Sequence, residues 1–111
     1  MLKKENRFGK NDIKYLKDYK KIYQEFFIAK YKTNYKEKKI TVVLSKKAIK
    51  KAVNRNFKRR QIYNIFQKYL NLLPNTYIII YGKKNILKAN YKTLDTEILD
   101  LIKKINEKTI Q

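Results

Sequence analysis

A chain of 111 residues with 43% hydrophobic composition, two glycines and one proline suits a single domain over residues 1–111, without a flexible linker. Its 29 basic against 9 acidic residues give a net charge of +20, which implies a polyanionic partner. The lack of cysteine and histidine excludes disulfides, thiolate nucleophiles, cysteine zinc sites and the commonest general base; no apolar run approaches the ~18–20 residues of a spanning helix, so a cytoplasmic, membrane-free protein is expected.

The first expected element is a helix near residues 11–20, with Asp12 as its cap and Ile13 and Leu16 at helical spacing. Residues 22–32 and 39–44 are rich in aromatic and β-branched side chains, and the polar stretch between them predicts an antiparallel hairpin. In its second strand Ile40, Val42 and Leu44 alternate with Thr41, Val43 and Ser45, so one face is expected to be buried. A long helix is expected from Ser45, a good N-cap, to Leu70, before Pro74 prevents continuation. Its apolar stripe is broken: Ile49, Ala52 and Val53 share an early face and Ile62, Ile65, Phe66 and Tyr69 a later one, but between Asn54 and Gln61 only Phe57 is apolar. Core burial alone does not hold that middle stretch down.

Residues 76–81 are apolar on both faces, as in a strand interior to a sheet. Thr93 is expected to cap a last helix that turns Leu94, Ile98, Leu101, Ile102 and Ile105 inward. The result is an α+β two-layer sandwich in the order α-β-β-(β)-α-β-α.

Three of the four arginines, Arg55, Arg59 and Arg60, fall within six residues, while 25 lysines supply the other positive charge. In a chain so rich in lysine, asparagine, isoleucine and tyrosine, arginine is retained where its shape matters. A guanidinium is a flat fork of donors that grips phosphate oxygens in pairs and stacks on bases, so the cluster reads as a nucleic-acid contact. The carboxylates are scattered, and Asp95, Glu97 and Asp100, the only close group, do not share one helical face. They suit the first turn of a helix better than a metal site, and no catalytic residue is assigned to the chain.

The run from Ser45-Lys46-Lys47 to Arg55-Asn56 and Arg59-Arg60 resembles the signature of the bacterial ribonuclease P protein subunit. Asn6-Arg7-Phe8 resembles that family's opening, and the segment beginning Tyr77-Ile78-Ile79-Ile80 its late strand. The chain departs from the pattern at Phe57, where a third arginine is usual, at Tyr63-Asn64, where the family carries Arg-Glu, and at Gly82-Lys83-Lys84, where an Arg-Lys-Pro-like turn is common. The resemblance implies a left-handed crossover around the long helix. It also implies an endoribonuclease assembly in which a catalytic RNA, with Mg2+, removes the 5′ leader of precursor tRNA, while one protein per RNA binds both RNAs and holds no cofactor itself. On this reading Lys46, Lys47, Lys50, Lys51, Arg55, Asn56, Lys58, Arg59 and Arg60 meet the catalytic RNA, and Tyr15, Tyr19, Phe27 and Tyr31 line a cleft where leader bases stack. A small ribosomal protein with a structural RNA-binding role is the alternative. A self-sufficient nuclease would need a carboxylate group for magnesium, which the sequence does not offer.

Overall fold

Among the described residues four strands form a sheet in the order β1-β2-β4-β3, and two long helices follow β3 and β4 along the chain. The computed structural model describes residues 19–33 and 37–110. Strands β1 (Lys20–Tyr23) and β2 (Phe27–Thr33) make an antiparallel hairpin, and β3 (Lys39–Val43) lies at the opposite edge. Helix α1 (Ala52–Lys68) connects β3 to β4 (Thr76–Gly82), and helix α2 (Tyr91–Ile110) follows. Because β3 and β4 pair in parallel, the chain has to cross over between them, and α1 is that crossover.

The expected hairpin between residues 22–32 and 39–44 does not form: β4 lies between those two segments, antiparallel to β2 and parallel to β3. With Ile78, Ile79 and Ile80 all buried, β4 takes the interior position that its two-sided apolar pattern predicts. The first segment is also not one strand. It breaks at Gln24, where the backbone N–H bonds the Phe27 carbonyl at 2.9 Å. The Gln24 side chain is buried and fully engaged: Nε2 donates to Glu97 O at 3.0 Å and Asp100 Oδ2 at 3.1 Å, and Oε1 accepts from Lys104 Nζ at 2.8 Å. A buried amide needs such partners, and these tie the β1–β2 turn to α2. The helix expected over residues 11–20 lies outside the described residues up to residue 18, and Lys20 belongs to β1.

One core joins the sheet to both helices. Phe27, Ala29 and Tyr31 of β2, Ile40 and Val42 of β3 and Ile78 and Ile80 of β4 meet Ile62, Ile65 and Phe66 of α1 and Leu94, Ile98, Leu101, Ile102 and Ile105 of α2. Tyr63 joins them, and its hydroxyl accepts the Val42 N–H at 3.2 Å, satisfying a donor on the edge strand. The inward face of α2 is the expected one. Its cap is Asn90 rather than Thr93: Asn90 Oδ1 accepts the Thr93 N–H at 2.9 Å.

Candidate nucleic-acid interface

The segment from Ser45 to Lys51 is not the start of the long helix. Ser45 Oγ accepts the Ala48 N–H at 3.1 Å and its carbonyl accepts the Ile49 N–H at 3.0 Å, closing a single turn that buries Ile49. The backbone then extends at Lys51 (φ −84°, ψ 128°), and only beyond it does α1 begin. This interruption resets the helical phase, so Ala52 and Val53 do not continue the Ile49 face and stand exposed instead. Arg55 secures the turn to the helix, its Nη1 donating to the carbonyls of Ile49 at 2.8 Å and Lys50 at 2.9 Å.

Lys46, Lys47, Lys50 and Lys51 are all exposed around the start of α1, which has no acid in its first turn and no side-chain cap. Cations there oppose the helix macrodipole, an arrangement poor for an isolated helix but well suited to an anion. One turn further, Arg59 Nη1 donates to Asn56 Oδ1 at 2.9 Å, which orients the guanidinium, and Arg60 is exposed beside it. No Asp or Glu occurs between Glu37 and Asp95. Among the described residues no ion pair engages these lysines and arginines.

Lys58 has to be removed from this surface. It precedes Ile62 by four residues, on the stripe that faces the core; it is 5% exposed, and its ammonium donates to the Ala89 carbonyl. Burial lowers its pKa from the ordinary lysine value. Phe57, on the opposite stripe, is exposed.

The sheet has two unlike faces. On the helix-covered face lie Phe27 and Tyr31, 0% and 3% exposed, with the Tyr31 hydroxyl buried and unpartnered and its pKa raised by that burial. Their expected place in a base-stacking cleft is therefore corrected: both are core residues. The other face follows from the register. One cross-strand row holds Tyr23, Ile28, Tyr81 and Val43, the next Lys21, Lys30, Ile79 and Thr41, and the third Lys32, Tyr77 and Lys39. The core shared with α1 and α2 does not include this face, yet Ile79 in its middle row is only 1% exposed and Lys30 and Thr41 beside it are half-buried.

Tyr19, expected on a first helix, stands immediately before β1 and outside any helix. Its hydroxyl accepts Lys30 Nζ at 3.1 Å, and that ammonium lies 4.8 Å from the Tyr19 ring centroid and 4.9 Å from that of Tyr81. The hydrogen bond to Tyr19 is the main cause that holds the Lys30 pKa above the ordinary lysine value. Tyr15 lies outside the described residues. Tyr23, Tyr77 and Tyr81 were missed, although the alternation in β2 pointed to them: Lys30 and Lys32 mark the outward parity, so Phe27, Ala29 and Tyr31 between them have to point inward. Aromatic rings interleaved with lysines make a surface that stacks bases and attracts their phosphates. Among the described residues no group of three or more carboxylates is placed to hold a metal ion, and no helix is long and apolar enough to cross a membrane.

The family model described as Ribonuclease P matches residues 2–106. The ribonuclease P protein component of Mycoplasma genitalium is 32% identical over 76 residues, which cover 68% of this chain and 59% of that protein's length. Among solved structures, the RNase P protein of Staphylococcus aureus superposes with a TM-score of 0.79 at 21% identity, covering 93% of this chain and 96% of that one. The RNase P protein from Thermotoga maritima does so with a TM-score of 0.74 at 21% identity, covering 86% and 91%. At these identities the structural likeness establishes the fold.

Proposed function

Since the chain belongs to the ribonuclease P protein family, we propose that it is the protein subunit of a cytoplasmic ribonuclease P, one copy assisting one catalytic RNA in removing the 5′ leader of precursor tRNA. The observation that carries this reading is the cationic segment of residues 46–60, which forms no ion pair among the described residues, on a molecule whose sheet has a second, aromatic and basic face. The start of α1, with Lys46, Lys47, Lys50, Lys51, Arg59 and Arg60, takes the catalytic RNA. Arg55 contributes chiefly by fixing the turn that displays the lysines. The sheet face with Tyr19, Lys30, Tyr77 and Tyr81 takes the unpaired leader.

No protein group supplies the chemistry of cleavage in this reading. The magnesium of the reaction belongs to the RNA in this reading. The protein acts by lowering the repulsion between two polyanions and by releasing their counterions. Such help matters most when magnesium is scarce. Reconstitution with a bacterial-type ribonuclease P RNA and a precursor tRNA at low magnesium tests the proposal: cleavage should be accelerated, and an RNA reaction indifferent to the protein would overturn it.

A further inference from the structure

Phe57 is 57% exposed and Val53, one turn earlier on the same stripe of α1, is 70% exposed. Arg60 and Asn64 continue that stripe and are exposed as well. The helix turns its apolar side chains Ile62, Ile65 and Phe66 inward, so an outward phenylalanine and valine are not part of its packing. A ring left in water forgoes the stabilisation that burial would give it. On the same helix Asn56 and Arg60 are exposed, and Arg59 is held by its bond to Asn56.

Charge decides what covers such a patch. A second copy of this chain would bring the same carboxylate-free surface of a +20 molecule against itself, whereas RNA brings phosphates for the guanidinium groups and flat bases for the ring. Building on the proposed binding of the catalytic RNA, we infer that Phe57, with Val53 beside it, is a platform on which an unpaired base of that RNA stacks while Arg60 meets an adjoining phosphate. The α1 contact then reads unpaired structure as well as charge.

The test uses the full chain, a bacterial-type ribonuclease P RNA and three substitutions. Phe57→Leu keeps apolar bulk and removes the aromatic face; it should weaken RNA binding about tenfold, the factor that ~1.4 kcal/mol represents. The slope of log affinity against log salt should stay that of the parent, because no phosphate contact is lost, whereas Arg60→Ala should make it shallower. Phe57→Trp should bind like the parent. As the chain has no other tryptophan, the emission of that residue reports directly on position 57 and should be quenched when RNA saturates the protein.

Parental affinity of Phe57→Leu, or unquenched emission at saturation, overturns the stacking. If Arg60→Ala still weakens binding, the RNA reading of this surface survives that result. A parent chain that does not bind the RNA instead removes the reading itself. Concentration-dependent dimers of the parent that Phe57→Leu abolishes, with RNA affinity unchanged, would give the patch to a second copy and overturn the inference.

Discussion

The two faces of β2 make a sharp experiment, because Phe27 and Tyr81 are aromatic residues on neighbouring strands with opposite fates. Phe27 is fully buried beneath the helices, and its replacement by Ala removes a core ring at a cost of about 3–5 kcal/mol. A domain of this size holds a total of about 5–15 kcal/mol, so the variant loses a large share of its stability, and its melting temperature should fall by at least about 12 °C. Tyr81→Ala removes a half-buried ring on the opposite face, with the cation contact to Lys30 and the cross-strand contacts to Ile28 and Val43, at about 1–2 kcal/mol. Its larger effect should appear in binding. A lost base-stacking ring costs about 1–3 kcal/mol of affinity for precursor tRNA, measured with the assembled ribonucleoprotein, while mature tRNA, which lacks the leader, should bind as before. Thermal melts and precursor affinities of the two variants decide the assignment. A Phe27→Ala protein that melts like the parent yet loses the leader contribution, beside a Tyr81→Ala protein that keeps it, would mean that the faces are reversed.

Arg59→Ala and Arg60→Ala should each weaken binding of the catalytic RNA by about 1.5–3 kcal/mol where the contact is dry and less where it is wet, with unchanged melting; filter binding at moderate salt measures this. Tyr31→Phe removes an unpartnered buried hydroxyl and should leave stability equal or raise it by about 1 kcal/mol in urea unfolding, with RNA affinity unaltered. Burial holds the folded-state pKa of Lys58 below 10.5, so the unfolded chain binds the extra proton; the penalty is full below the folded value and relieved as pH rises toward 10.5. Lys58→Met should therefore gain most on the parent near neutral pH and less in alkali, whereas a pH-independent difference in unfolding free energy would contradict the buried ammonium. Sulfate should raise the melting temperature more than chloride at matched ionic strength, since an anion bound at the start of α1 stabilises only the folded state.

Much of the architecture was legible because its signals are local. The two-sided apolar run of β4 gave its interior place, and the spacing of Leu94, Ile98, Leu101, Ile102 and Ile105 gave the inward face of α2. Strand partnership was not local: nothing in residues 22–44 says that β4, which begins only at Thr76, will separate β2 from β3. The helix start was misplaced because Ser45 does cap a turn, and only the extended backbone at Lys51 shows that the turn ends there. At the site, the structure leaves Lys46, Lys47, Lys50, Lys51 and Arg60 exposed. Burial of Lys58 needed the phase of Ile62, and exposure of Val53 needed the break before Ala52. Phe27 and Tyr31 were placed on the wrong side of the sheet for a simpler reason. Aromatic character was weighted above strand parity, although parity separates Phe27 and Tyr31 from Ile28, Lys30 and Lys32.

Among the described residues the carboxylates show why the exposed cations of residues 46–60 form no ion pair. Glu37 accepts the Tyr77 hydroxyl at 3.0 Å and lies 3.6 Å from Lys39. Asp95 takes Lys68 at 2.7 Å and the Tyr69 hydroxyl at 2.9 Å, joining the end of α1 to the start of α2. Glu97 accepts the Glu25 N–H at 3.2 Å, and Asp100 receives Gln24 at 3.1 Å and Lys104 at 3.0 Å, bonds that hold its carboxyl below the usual aspartate range. These acids serve the folded state at the β1–β2 turn, along α2 and at the foot of β3. None reaches the start of α1. Repulsion in the free domain is thereby concentrated where bound phosphates would relieve it, so the surface that weakens the isolated fold is the one through which RNA binding would stabilise it.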